Sequence, residues 1–189
     1  MAGGTGKAKV KAQKKFNMVL GIHSNLTADT DDFTDGHAWL TITYEGQTGF
    51  YGLWPDDHPN VVDNGDKSDI RIGMEASNKA AASRYYKLSE AQAKHFIKLL
   101  EANVHWRYTN TCASWASDVV FAVVGEDVDA DDNLGFETPR ELGESILKLE
   151  KKNPTSIHAP KAVNKNPASS SSTSKKKPSK GMKKKKKTK

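Results

Sequence analysis

Residues 108–125 read YTNTCASWASDVVFAVVG and hold the single cysteine of the chain, Cys112. Asn110 or Thr111 can act as the N-cap of an amphipathic helix that carries Trp115, Ala116, Val119, Val120 and Val123 on one face and ends at Gly125. Cys112 then falls in the first helical turn. There the unpaired backbone N–H groups and the positive end of the helix dipole favour a thiolate over a thiol. The same N–H groups can hold the oxyanion of an acyl-transfer intermediate. The competing reading is structural, because a free cysteine is among the most buried residue types and behaves as a small hydrophobe.

A nucleophilic thiol needs a base. His37, in DGHAWLTI, follows Gly36 at the start of a strand, and a strand end can face the N-terminus of a helix packed on the sheet. His23, His58, His95, His105 and His158 are the other histidines; His95 falls on a helix and His158 in the C-terminal tail, so neither suits catalysis. A third polar group is needed to orient the imidazole and fix its tautomer. If Gly46 and Gln47 form a two-residue turn, Glu45 faces Thr48, and the same register sets His37 opposite Asp56. Shifts of the turn bring Asp57 or His58 there instead. Asp56 is the first candidate, His58 the second and Asp57 the third. Trp39 and Trp54 face one another in this register, either as packing for the Cys112 helix or with one of them walling a substrate groove.

The elements that must carry these residues are legible around them. MVLGI reads as a buried strand and DDFTDG as a polar turn, followed by the hairpin HAWLTITYEGQTGFYGLWP and a loop over residues 56–69. In SEAQAKHFIKLLEAN, Ser89 and Gln92 make a capping box, and Phe96, Leu99 and Leu100 recur at helical spacing. A last helix starts at TPRE, with Thr138 as cap, Pro139 in the first turn, Glu141 closing a capping box, and Leu142, Ile146 and Leu149 as its buried stripe. The expected fold class is α+β: an antiparallel sheet with helices packed to one side.

Charge divides the chain into three parts. Residues 1–15 hold 5 Lys and residues 151–189 hold 14 Lys, and neither stretch has an acid. Removing these from the 29 basic residues leaves 10 against 23 acids over residues 16–150, an acidic body between basic ends. The organisation that follows is a flexible basic arm over 1–15, one domain over 16–150, and a disordered Lys/Ser/Pro-rich tail over 151–189. The apolar run in FNMVLGI is too short for a signal peptide and no stretch is long enough to span a membrane.

The patches GHAWLTI, YGLWPDDHP, YTNTCASWASDV and ETPRELGESI, in that order, resemble circularly permuted papain-like cysteine hydrolases of the NlpC type, closest to type VI secretion effectors that attack peptidoglycan. The likeness spans residues 17–149. It implies a permuted papain-like fold, Cys112 as nucleophile, His37 as base, and cleavage of amide bonds in cell-wall peptides. It also implies synthesis in the cytoplasm, delivery to a target-cell periplasm by a secretion apparatus, and an immunity protein as partner. The permuted superfamily includes lipid acyltransferases and thioesterases, which gives a second enzymatic reading. A third is a non-enzymatic module tethered by its basic ends to nucleic acid or envelope polymers. The lysine tail suits nonspecific anionic polymers, and without interleaved aromatics specific nucleic-acid recognition is not expected. No cofactor is called for. DVDADDN, from Asp127, imitates a calcium loop but has Asp132 where Gly is needed and Thr138 where Glu is needed. One cysteine and scattered histidines make no zinc set, and Asp29, Asp31, Asp32 and Asp35 read as a solvated turn.

Overall fold

A computed structural model describes residues 16–27, 36–131 and 136–163. The basic arm, the acids at Asp29, Asp31, Asp32 and Asp35, Asp132 of the calcium-like loop and the lysine tail beyond residue 163 lie outside the described residues.

The chain runs β1 (Met18–Ser24), β2 (Ala38–Tyr44), β3 (Gln47–Leu53), β4 (Ile70–Ile72), β5 (Ala82–Leu88), α1 (Glu90–Leu100), α2 (Cys112–Val124), α3 (Pro139–Lys152) and β6 (Lys161–Ala162). The fold is α+β. The strands form one sheet in the order β4-β3-β2-β1-β5-β6, antiparallel throughout except for the parallel β5–β6 pair, so the sheet is mixed.

Strand pairing puts Leu20 between Ile42 and Tyr86, and Ile22 between Leu40 and Arg84. Alternate side chains share a face. Leu20, Ile22, Leu40, Leu53, Tyr86 and Leu88 join one cluster with Phe96 of α1, Val120 of α2, and Leu142 and Ile146 of α3. All three helices therefore cover that one face. Each fully buried Leu, Ile or Val contributes about 1.5–3 kcal/mol. β1 is buried on its second face as well, where His23 accepts or donates at 2.9 Å to the hydroxyls of both Thr41 and Ser83 and stacks on Trp39. Burial lowers its pKa to about 4, so this histidine is a neutral structural one.

The caps follow the expected pattern with one exception. α1 has the Ser89/Gln92 capping box. α2 is capped by Thr111, which forms a reciprocal box with Ser114, and ends at Gly125, whose φ of 71° needs the left-handed freedom of glycine. At α3 the Thr138 side chain accepts from the Glu141 N–H, but the Thr138 N–H donates to the Ala130 carbonyl and the Glu141 carboxylate accepts from Arg140. The expected box is half formed because another strand-like contact has already taken its second donor.

Three features depart from the sequence reading. The hairpin turns at Glu45 and Gly46, with φ of 52° and 82°, and pairs Tyr44 with Gln47. A two-residue hairpin of this hand needs positive φ at both central positions and favours glycine at the second, which moves the turn one residue back. β4 and β5 were not anticipated. β5 does alternate, but its inward set includes Arg84, which hides the apolar period. Finally, the boundary drawn at residue 150 falls inside α3, and the segment to residue 163 belongs to the folded body.

That segment is held by Arg84, which is 1 % exposed. Its guanidinium donates to Glu150 at 2.6 Å, to Glu126 at 3.2 Å and to the Asn153 carbonyl at 3.0 Å. Glu150 also accepts from the Thr155 N–H at 2.6 Å, Thr155 Oγ1 accepts from the Tyr85 N–H at 2.9 Å, and Lys161 reaches Glu126 at 2.8 Å. Removing the guanidinium leaves Glu126 to Lys161 and Glu150 to Thr155, with the buried charge balance broken. Arg84→Ala should lower unfolding stability by about 3 kcal/mol, the lower end for a broken buried pair because the carboxylates keep partial solvent access; urea denaturation followed by circular dichroism measures it, and a loss under 1 kcal/mol would contradict the clamp.

Candidate active site

α2 places Cys112 at its first helical position, against the end of the sheet where β2 begins. The helix cannot slide easily. Ala113, Ala116 and Val120 are fully buried, Ser117 Oγ donates to the Val128 carbonyl at 2.7 Å, and Thr111 Oγ1 donates to the Glu137 carbonyl at 2.9 Å. His37 enters β2 from Gly36, whose φ is 95°. Its N–H donates to Asn25 Oδ1 at 2.7 Å and its carbonyl accepts from the Asn25 N–H at 3.2 Å, so the end of β1 fixes the histidine backbone.

Two polar side chains meet the imidazole, beside the rings of Trp54 and Trp39. His37 shares a hydrogen bond with the Cys112 thiol, and its Nε2 lies 3.1 Å from Glu75 Oε1. With Nε2 engaged by Glu75, Nδ1 is the ring nitrogen left for the sulfur. Glu75 is completely buried and also accepts from Trp54 Nε1 at 2.6 Å. Its Oε2 is buried without a hydrogen-bond partner among the described residues. The carboxylate is thus compensated through Oε1 alone, and a protonated imidazole is what best offsets its burial.

Electrostatics follow from these contacts. Burial alone would push the Cys112 thiol up; the hydrogen bond and charge of His37 and the N–H groups of Ala38 and Ala113 reverse this and hold it below the ordinary thiol value. Burial would push His37 down, but hydrogen bonds and charge from Cys112 and Glu75 raise it to about 9. These contacts favour a thiolate facing an imidazolium, with Glu75 behind the ring. A mere buried hydrophobe would have its pKa raised instead.

Asp56 is not the group on His37. It pairs with Arg71, which also donates to the Ser68 carbonyl at 2.9 Å. His58 packs edge-on against Trp54 with ring centroids 4.6 Å apart, and its Nδ1 accepts from the Asn60 N–H. Asp57 lines the pocket wall. The observed hairpin register, continued past Leu40 and Tyr51, sets Trp54 opposite His37, and their ring centroids are 4.0 Å apart. Trp54 therefore faces the histidine rather than Trp39. His105 lies 3.8 Å from Asp69, and His95 sits on α1.

Glu75 escaped the sequence reading because it belongs to a turn 38 residues from His37 with no periodic pattern. The turn docks through the Gly73 N–H on the Phe50 carbonyl at 3.0 Å, and the Asn78 N–H closes it on the Glu75 carbonyl. One signal was present. Gly52 interrupts a strand otherwise rich in aromatic residues, and a Cβ there would run into Glu75, His37 and Trp54. A glycine in a strand marks close approach of another group, without naming it.

A pocket of about 650 Å³ opens on the pair, with Trp54, His58, Trp106, Tyr108, Phe136 and Glu137 in its walls. That volume suits a small organic ligand or a short peptide. Among the described residues no group of three His, Cys, Asp or Glu side chains is arranged to hold a metal ion, and no helix is long and apolar enough to cross a membrane. No protein-family model, no curated protein and no solved structure matches this chain.

The ion pair has a definite pH window. The thiolate is lost as pH falls through the lowered Cys112 value, and the imidazolium is lost as pH rises through about 9. Iodoacetamide should therefore alkylate Cys112 rapidly well below the free-thiol pKa of about 8.5, and in Glu75→Gln the imidazole titration followed by NMR should move below its wild-type value. An alkylation profile with an ordinary thiol midpoint would show that the pair does not form.

Proposed function

We propose that this protein is a cysteine hydrolase that cleaves amide bonds in peptidoglycan peptides, an antibacterial effector that a secretion apparatus delivers to a target-cell periplasm. The observation that carries the hydrolase reading is the buried line of Cys112, His37 and Glu75 at the mouth of a pocket. The cell-wall substrate and the delivery route draw on the resemblance of the four sequence patches to permuted NlpC-type hydrolases.

In this reading Cys112 Sγ attacks the amide carbonyl carbon, and the C=O electron pair moves onto oxygen. The Ser114 N–H is taken by Thr111 and the Ala113 N–H by the thiolate, so the Cys112 N–H is the first-turn donor for that oxyanion. His37 passes its proton to the leaving nitrogen as the C–N bond breaks, which leaves an acyl-enzyme and a neutral imidazole. Water then gives a proton to His37 as it attacks the thioester. Expulsion of the thiolate releases the acid and restores the ion pair. Glu75 holds the ring in register and balances the imidazolium, while Trp54 holds Glu75.

The basic ends, with 5 lysines over residues 1–15 and 11 beyond residue 163, attract an anionic envelope to a body whose own balance is acidic. An immunity protein that covers the pocket would protect the producing cell.

Mass spectrometry of purified peptidoglycan tests the reading. Wild-type protein should release new peptide-bearing fragments, Cys112→Ala none, and His37→Ala should be slower by roughly 10²–10⁴-fold, the usual worth of a positioned acid–base group. Rapid alkylation of Cys112 with no wall fragments would overturn the substrate and point to lipid acyl groups.

A further inference from the structure

Trp106 and Tyr108 line the pocket that holds Cys112 and His37. Tyr108 is 78 % exposed. It is not on a loose loop. The Arg107 N–H donates to the Asn110 carbonyl at 3.1 Å, the Asn110 N–H donates back to the Arg107 carbonyl at 2.9 Å, and Asn110 Nδ2 donates to the His105 carbonyl at 2.9 Å. The turn that presents Tyr108 is closed on itself and leads into Thr111 and Cys112. Trp106 is pinned from beneath by its N–H on the buried Asp69 Oδ2 at 2.7 Å, and Asp69 in turn pairs its own N–H with the Val104 carbonyl and its carbonyl with the Trp54 N–H. The two rings meet edge to face, with centroids 5.2 Å apart, and the Tyr108 side of the pair stays exposed.

The polar groups around these rings narrow the ligand. Asp57, Asn60, Asn78 and Glu137 line the same pocket, and among the described residues neither Lys nor Arg does. Apart from the buried His37 ring, a polyanionic ligand finds no counter-charge among the described residues of this pocket. An apolar peptide side chain would desolvate these amides and carboxylates without replacing their hydrogen bonds. A pyranose ring satisfies both sets. Its C–H face covers an aromatic plane, and its hydroxyl and acetamido groups pair with neutral amides and carboxylates at the edge.

We propose that the Trp106–Tyr108 wall is a sugar subsite, which stacks a pyranose of the glycan strand next to the peptide whose amide is cut. The substrate is then a glycopeptide rather than a free peptide. The location of the scissile bond rests on the hydrolase reading given above, but sugar binding does not require turnover.

The test uses full-length Cys112→Ala protein, titrated by calorimetry with three probes: an N-acetylglucosaminyl-N-acetylmuramyl peptide, the same peptide without sugars, and the disaccharide alone. The glycopeptide should bind more tightly than the bare peptide. Adding Tyr108→Ala should weaken the glycopeptide by roughly two- to tenfold, the worth of one aromatic contact, leave the bare peptide unchanged, and be rescued by Tyr108→Phe. The exposed position of Tyr108 keeps the fold out of question, and a matched thermal unfolding curve checks it. Equal affinity with and without sugar, no glycopeptide binding, or an equal loss for both ligands in Tyr108→Ala would each overturn the subsite. Failure of the hydrolase reading is read separately: sugar-dependent binding to Cys112→Ala with no cleavage by wild type would leave the subsite standing and remove the enzyme.

Discussion

The contact between Cys112 and His37 joins the start of a buried helix to the first residue ahead of a central strand, and both sides of the molecule are organised to keep it. Burying a thiol raises its pKa and burying an imidazole lowers it, so each group alone would be neutral and inert. Placed together they reverse one another, the thiol falling and the imidazole rising to about 9. Such a pair depends on fixed separation. The apolar face of α2 against Leu40 and Leu53 supplies it along one direction, and the Asn25–His37 backbone pairing supplies it along another.

Glu75 shows how a polar group in an apolar setting can be kept oriented with few partners. One oxygen receives both His37 and Trp54, and the other receives none among the described residues. The arrangement ties the second strand, the third strand and the turn after β4 into one unit, and Gly52 makes room for it. Asp69 has a similar part on the far wall of the pocket, where it links the end of β3, Arg71 and the loop of Trp106. Arg84 does the corresponding work away from the pocket, where its charge holds the C-terminal segment to the sheet. The three sites share one logic: a charged side chain in the interior has definite partners on several elements, and so fixes how those elements meet.

The local chemistry of the chain was readable from short-range rules. Thr111 and Ser89 cap helices because their hydroxyls reach N–H groups three residues on, Gly125 ends a helix because it adopts positive φ, and Phe96, Val120 and Ile146 fall on buried stripes through the helical period. Cys112 at a helix start and His37 at a strand start were likewise positions that sequence could name. β5 was harder, since a buried arginine in the middle of its inward face imitates a polar surface strand until its carboxylate partners, 42 and 66 residues away, are known.

What sequence determined by itself was therefore the set of elements with a strong period or cap, and the two residues whose place on those elements had a chemical meaning. Tertiary structure decided the third. A hairpin slipped by one turn position moves every cross-strand partner by two, which exchanged Asp56 for Trp54 opposite His37. Asp56 went to Arg71, and the carboxylate that reached the imidazole came from a turn with no repeating pattern. Capping and periodicity act over three or four residues and are written in adjacent letters; the meeting of Glu75 with His37 is a long-range contact, set by how β3, β4 and their connecting turns pack.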